Sequence, residues 1–310
     1  MQLIRGLQNL TQALTGCVAT IGNFDGLHRG HQYLLAEVER QAKSAGLPSV
    51  LVTFEPQPLE YFKPAIAPAR LTTLREKALV LSHMQLDHLV CLHFDARLAS
   101  LTAREFVQQL LIERLGLRSL VIGDDFRFGR GRDGDHTTLK ELGAEFGYTV
   151  TAMDTHDVGT ERVSSTRVRE ALAAGDLQAA AALLGRPFSH VGRVIHGEKR
   201  GRDLGVPTLN MDLKRLQSPL QGVFATRVHR LADTPLPAIS YIGTRPVFNG
   251  RKLLLETHIF DFDADCYGRL IEIEFVERVR GDRNFDSADE LVKQMHIDMD
   301  NARQRLGRAE

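Results

Sequence analysis

The sequence predicts an α/β domain built on a doubly wound parallel sheet, followed by an antiparallel β domain and a C-terminal helix. Three observations carry this. Short apolar runs alternate with amphipathic stretches through residues 17–152, the alternation stops near residue 186, and a helix-start signal returns at Ser287-Ala288-Asp289-Glu290. At 310 residues the chain is long for a single hydrophobic core, so two domains are expected, 1–186 and 187–310.

The runs Cys17–Gly22, Ser49–Phe54, His88–His93, Ser119–Gly123 and Tyr148–Met153 read as buried strands. Between them, Thr73…Glu76 and Thr102…Glu105 have the spacing of a capping box, in which hydroxyl and carboxylate satisfy the free N–H groups of a helix start. Strands alternating with helices imply a parallel sheet covered on both faces, with ligands bound beyond the carboxyl ends of the strands. Ala-rich helices over 165–184 end at Leu184-Gly185-Arg186-Pro187, which reads as a stop and linker. Beyond it, Gly222–His229, Leu253–Phe260 and Leu270–Phe275 are strand-like runs separated by Gly/Pro turns, as in an antiparallel barrel or sandwich.

Composition narrows the function classes. Lys plus Arg equals Asp plus Glu at 39 each, so no net field draws the chain to nucleic acid or anionic lipid. Cys17, Cys91 and Cys266 fit no zinc or redox spacing, and so sparse a set of thiols suits a reducing cytoplasm. The N-terminus lacks a signal-peptide core, and no apolar run approaches the roughly 20 residues that span a bilayer. A soluble cytoplasmic protein is expected, a monomer or weak homo-oligomer acting on small molecules.

The strongest chemical signal is Ile21-Gly22-Asn23-Phe24-Asp25-Gly26-Leu27-His28-Arg29-Gly30-His31, directly after the first run. Gly22 and Gly26 permit close approach of backbone to ligand, and the helix that follows favours anions at its N-terminus. His28 and His31, three apart, share a face if the turn is helical and can stabilise charge building on a phosphate. Val163-Ser164-Ser165-Thr166-Arg167 sets hydroxyls and a cation at another helix start, suited to phosphate oxygens. Gly129-Arg130-Gly131-Arg132-Asp133-Gly134 formally matches a dinucleotide-binding fingerprint, but it lies too late and too far from its strand to serve as one.

The string from Gly22 to His31 resembles the signature of HxGH nucleotidyltransferases, in the form found in FAD synthetases of the bacterial bifunctional type. The resemblance implies that His28 and His31 are catalytic and that Gly22, Phe24, Asp25, Gly26 and Gly30 line an ATP site. Ser164, Ser165, Thr166 and Arg167 are similar to that family's phosphate loop. Gly123-Asp124-Asp125-Phe126-Arg127-Phe128-Gly129 resembles its flavin and nucleotide loop, through Asp125, Phe126 and Phe128. Thr53-Phe54-Glu55-Pro56 corresponds to a segment near the flavin, with no chemical role assigned to Glu55.

In the second domain, four glycines and four cations within 19 residues from Gly192 to Asn210 suit a polyphosphate cradle. Gly201-Arg202-Asp203-Leu204-Gly205-Val206-Pro207-Thr208-Leu209-Asn210 is similar to riboflavin kinase (flavokinase) domains, which are β-barrels. The resemblance implies ATP at Gly197, Gly201, Arg202, Gly205, Pro207 and Thr208, with Mg²⁺ on the oxygens of Thr208 and Asn210. Leu255-Glu256-Thr257-His258 resembles the segment carrying the family's base for the riboflavin 5′-hydroxyl, which makes Glu256 catalytic and His258 structural. Arg280 and Phe285 correspond to a flavin-side flap, with Asp282 where the family has Glu. Tyr241 and Val247 stand where it has Asn and Thr, removing two hydrogen-bonding side chains. The resemblances together imply an enzyme of FAD biosynthesis that uses ATP to turn riboflavin into FMN and FMN into FAD. The alternative is a nucleotidyltransferase of one activity with a non-catalytic, flavin-binding β domain.

Overall fold

The computed structural model describes residues 1–9, 16–154, 157–158, 161–196, 206–215, 217–247 and 250–308. Its chain contacts fall into two units, Met1–Ala67 with Lys77–Val163, and Pro68–Glu76 with Ser164–Glu310.

The first unit is a six-stranded sheet of β1 (Gln2–Arg5), β2 (Cys17–Ile21), β3 (Ser49–Glu55), β4 (His88–His93), β5 (Leu117–Gly123) and β6 (Thr149–Met153). Its order is β1-β4-β3-β2-β5-β6 and every pairing is parallel; two short strands, β7 (Asp157–Val158) and β8 (Glu161–Arg162), follow as a separate antiparallel pair. All five β2 residues are buried, because the strand is covered on both faces. Cys17, Ala19 and Ile21 face one core with Val52, Phe106, Leu120 and Ile122, while Val18 packs with Val38, Ala42 and Val121 on the other. After β2 the chain builds outward first through β3 and β4, then returns to add β5 and β6 on the opposite side. That reversal puts a crevice beyond the carboxyl end of β2.

Five strands lie where the apolar runs predict them. The edge strand β1 has no such run, since Ile4 alone among its four residues is buried. Helix α1 (Arg29–Ala45) follows β2 and buries Leu35, Val38 and Ala42. Three helices later in this unit begin at side-chain caps, Asp95, Thr102 and Asp135. The Thr102–Glu105 capping box forms as read.

In the second unit, β10 (Leu209–Met211), β13 (Gly250–Ile259), β12 (Leu236–Val247), β11 (Gly222–His229), β14 (Leu270–Arg280) and β9 (Ser189–Ile195) close into an antiparallel barrel. The closed barrel decides between the two β architectures left open by the strand pattern. Phe224, Ile242, Leu255, Ile273 and Phe275 fill the interior. A chain of hydroxyls runs among them: Thr226 to Ser240 at 2.9 Å and Ser240 to Thr257 at 2.8 Å, each buried group satisfying the next. On the outer face Val223, Ala225, Ile239 and Phe260 pack on Met299, Ala302 and Leu306 of the C-terminal helix (Ala288–Arg308). The helices Ser165–Ala174 and Leu177–Leu184 each end at a left-handed glycine, Gly175 and Gly185. The stop at Gly185 is as read, but no spacer follows. Phe188 is buried against His190 and Phe275 three residues later, and β9 begins at Ser189.

A buried carboxylate organises this unit. Glu76 accepts from the N–H and hydroxyl of Thr73, completing the expected capping box, and also from Arg215 and the Val191 N–H. His190, fully buried, lies 3.5 Å away, too long for a full hydrogen bond. Burial alone raises the Glu76 pKa, but Arg215, His190 and the Thr73 N–H outweigh it and hold the carboxyl at about 2. Burial, then Arg215, lowers His190 to about 4 against the pull of Glu76. Both shifts have one consequence. Unfolded His binds a proton near its ordinary 6.5 and unfolded Glu near 4.3, each above its folded value, so stability falls as pH drops from about 6.5 toward 2. Glu76→Gln is expected to cost about 3–5 kcal/mol at pH 7, because it strands the Arg215 charge. Denaturant titrations of both proteins at pH 7 and pH 4 check this, and the difference between them should shrink at the lower pH.

Candidate active sites

The turn after β2 is tightly built. Phe24, Asp25, Leu27 and His28 are all buried, and the backbone enters left-handed conformations at Phe24, Gly26 and Leu27 (φ 46°, 84° and 48°). For the two non-glycine residues this costs about 1–3 kcal/mol each, tolerated where the surroundings over-determine the chain. Lys77 supplies much of that determination. Only 3% exposed, its ammonium donates to the Asn23 carbonyl and to the Thr53 hydroxyl at 3.0 Å. The Thr53 hydroxyl donates to the same carbonyl at 3.3 Å. In a planar trans peptide the N–H opposes the C=O, so drawing the Asn23 carbonyl inward turns the Phe24 N–H the other way.

His28 is the N-cap of α1, with its Nδ1 accepting the His31 N–H at 3.3 Å. An imidazole nitrogen that accepts carries no proton, so a neutral His28 holds its proton on Nε2 and donates there. The two imidazoles stack with centroids 3.6 Å apart, and Phe24 lies 4.7 Å from His31 on a tilted plane. Gly30 leaves room beside this stack: a β-carbon there would sit 3.3 Å from the His28 ring and crowd it. Burial, then His28, then the Lys77 cation hold the His31 pKa well below the ordinary imidazole range. His31 is therefore neutral at pH 7, and among the described residues its buried Nδ1 has no hydrogen-bond partner.

The loop after β5 flanks the same crevice. Asp125 is exposed and paired with Arg162 at 2.9 Å. Phe126 stacks on Phe128 at 5.7 Å, but Phe128 itself is buried in the core against Phe106, so its ring shapes the loop from beneath. The glycine-rich stretch that follows is a structural turn. Phe128 and Gly134 exchange backbone hydrogen bonds, and a β-carbon at Gly134 would lie 2.5 Å from the Phe128 ring. Ser164, Ser165, Thr166 and Arg167 belong to the second contact unit. There Ser164 caps its helix by accepting the Arg167 N–H at 3.3 Å.

On the barrel, strand register gathers the second set of residues. Asn210 on β10 pairs with Glu256 on β13, Glu256 with Tyr241 on β12, Tyr241 with Val223 on β11, and Val223 with Arg280 on β14. Cross-strand partners share a face, so Asn210, Glu256, Tyr241 and Arg280 form a transverse row on the outside of the barrel, at about 4.8 Å per strand. Glu256 is half-buried, Asn210 buried, and Thr208 half-buried at the entry to β10. His258 Nδ1 contacts the Pro207 carbonyl at 2.8 Å, at that entry. Arg280 is bound to Asp298 of the C-terminal helix at 2.8 Å and lies over Phe285, as does Arg283. Gly197, Gly201, Arg202 and Gly205 lie outside the described residues. Tyr241 differs from its reading: its hydroxyl makes a hydrogen bond, to Asp282 at 3.2 Å.

Lys77 is the residue that motif reading misses. It looks like one charge among several in Arg75-Glu76-Lys77, yet it stands three residues after Leu74 and four before Leu81, on the helix's apolar stripe. A lysine on such a stripe is a signal the sequence does hold.

A parallel-sheet unit with its glycine–histidine turn at the switch point, together with a barrel bearing Asn210 and Glu256, defines a two-part transferase of the nucleotidyltransferase and flavokinase classes. The FAD synthetase family matches residues 10–167 and the riboflavin kinase family residues 184–306. The chain is 46% identical over 308 residues, 99% of its length, to the bifunctional riboflavin kinase/FMN adenylyltransferase of Escherichia coli K12, of which it covers 98%. To the protein of the same name from Pseudomonas fluorescens it is also 46% identical, over 98% of this chain and 97% of that one. A solved structure from Streptococcus pneumoniae, described as a macrolide-efflux protein, shares the fold with a TM-score of 0.78 at 30% identity, over 98% of this chain and 99% of that one. This chain belongs to the family of bifunctional riboflavin kinases/FMN adenylyltransferases.

Lys77→Met, which keeps the stem and removes the ammonium, should release the Asn23 carbonyl and lower FAD formation from FMN by at least about 10-fold, a loss of one charged hydrogen bond or more. FMN formation from riboflavin should be unchanged, and separate assays of the two products check it.

Proposed function

We propose that residues 1–186 adenylylate FMN and residues 187–310 phosphorylate riboflavin, each with its own ATP. The observation that carries this division is the separation of the chemical groups: His28 and His31 stand on the parallel sheet, and Asn210 and Glu256 on the barrel.

In the first reaction a phosphate oxygen of FMN attacks the α-phosphorus of ATP, and the bond to the pyrophosphate oxygen breaks. Charge grows on the oxygens of the transferring group and the leaving pyrophosphate. The Nε2–H of His28 and the neutral ring of His31 suit stabilisation of that charge from fixed positions, with no covalent intermediate. Gly22, Phe24, Asp25, Gly26 and Gly30 shape the turn, and Ser164, Ser165, Thr166 and Arg167, at the start of their own helix, carry groups suited to phosphate oxygens. Phe126 and Asp125 border the flavin side.

In the second reaction the riboflavin 5′-oxygen attacks the γ-phosphorus of ATP, ADP leaves, and Glu256 accepts the hydroxyl proton. Arg280 and Phe285 border the flavin. The hydroxyl of Thr208 and the amide oxygen of Asn210 are neutral hard donors beside that carboxylate. They would hold a Mg²⁺ brought in with the nucleotide. When bound, the ion neutralises phosphate charge. Among the described residues no helix is long and apolar enough to cross a membrane, and Cys17 and Cys266 carry free thiols. Those thiols support a cytoplasmic enzyme, working on small molecules without nucleic acid, as a monomer or weak homo-oligomer.

His31→Ala is expected to abolish FAD formation while sparing FMN formation. Glu256→Ala should stop FMN formation from riboflavin yet leave FAD formation intact when FMN is supplied. Chromatography of the flavins after incubation with ATP checks both. If the unaltered protein makes FAD from FMN but no FMN from riboflavin, the single-activity alternative is correct.

A further inference from the structure

Tyr241 interrupts the expected pattern of the barrel strand, and its surroundings give it a task. It stands directly opposite Glu256 in the β12–β13 register. Its ring folds back over Gly243, where a β-carbon would lie 2.2 Å from the phenolic oxygen. From there the hydroxyl donates to the carboxylate of Asp282, at 3.2 Å to Oδ1 and 3.4 Å to Oδ2. Burial first, then Asp282 and Glu256, push the tyrosine pKa up to about 12, so the hydroxyl keeps its proton and remains a donor at any pH the enzyme meets.

Asp282 belongs to the 280–285 segment that carries Arg280 and Phe285. The other ties of that segment run to the C-terminal helix: Arg280 to Asp298 at 2.8 Å, Arg283 to Glu290 at 2.6 Å and Arg283 to Gln294 at 3.2 Å. The Tyr241–Asp282 bond ties it also to β12, the strand paired with that of Glu256. The long donor at 241 and the short acceptor at 282 are two of the three departures from the family pattern, and they meet each other.

We propose that Tyr241 is a positioning residue of the riboflavin kinase reaction, which holds the 280–285 segment against the Glu256 face through Asp282 and so sets the place of the flavin. This rests on the reading of Glu256 as the kinase base.

Tyr241→Phe keeps the ring and loses the tie. It should raise the KM for riboflavin about 5- to 10-fold, the loss of one hydrogen bond to a charged group, with KM for ATP and the FMN-to-FAD reaction unchanged. Asp282→Ala should do the same, and the double variant should be no worse than either single one, because both remove one interaction. Gly243→Ala, which drives the phenol off its seat, gives an independent route to the same effect. A riboflavin KM within twofold of the unaltered protein in Tyr241→Phe, or effects of the two variants that multiply, would overturn the proposal. Glu256→Gln separates the two failures. If it abolishes FMN formation while Tyr241→Phe behaves normally, the positioning role alone is wrong; if it leaves FMN formation intact, the kinase reading fails first.

Discussion

A carbonyl oxygen turned inward governs the nucleotide turn. The Asn23 oxygen is held by an ammonium that water scarcely reaches and by the Thr53 hydroxyl on β3, with the Lys77 ammonium also bound to that hydroxyl. Once that peptide is fixed, the left-handed residues at 24, 26 and 27 follow, and the chain arrives at His28 in the extended conformation of an N-cap. A glycine at position 30 leaves the stacked imidazoles uncrowded. Burial above all, then His28 and the same lysine, keep the His31 ring neutral. One buried cation thus fixes the shape of the turn and adds to the neutrality of His31.

The barrel meets a different constraint. A strand's alternation gives each residue only a face; the register decides which residues on that face are neighbours. Here the pairing from β10 through β14 gathers Asn210, Glu256, Tyr241 and Arg280 into one row outside the barrel, against the C-terminal helix. The interior is left to apolar side chains and a closed hydroxyl chain. Separating the two faces lets the core be dry and satisfied while the outer row keeps its ionisable groups within reach of solvent and substrate.

Much of this was legible in the sequence, for physical reasons that differ by element. Parallel strands covered on both faces must be largely apolar, so β2 to β5 announce themselves; of the two edge strands, β6 carries a short apolar run without a fully buried residue, and β1, with one buried residue, has no such run. Capping boxes depend on residues three apart, and those at Thr73, Thr102 and Ser287 are seen as spaced contacts. The Gly22–His31 string and the Asn210 and Glu256 segments are local patterns and could be read directly. What escaped reading depends on tertiary position. Lys77 is silent until it is found buried on the helix Leu74–Leu81, Phe128 reads as a ligand-facing aromatic until it is found in the core, and Tyr241 reads as a lost hydrogen bond until Asp282 is brought to it.

The central claim is that the stacked imidazoles after β2 receive the phosphates of ATP. A crystal structure of the full chain with a non-hydrolysable ATP analogue tests it most directly. The expected result is a phosphate within hydrogen-bond distance of the His28 or His31 ring, lying over the N-terminus of α1. Nucleotide bound on the barrel alone, with no density at the turn under saturating analogue, would contradict it.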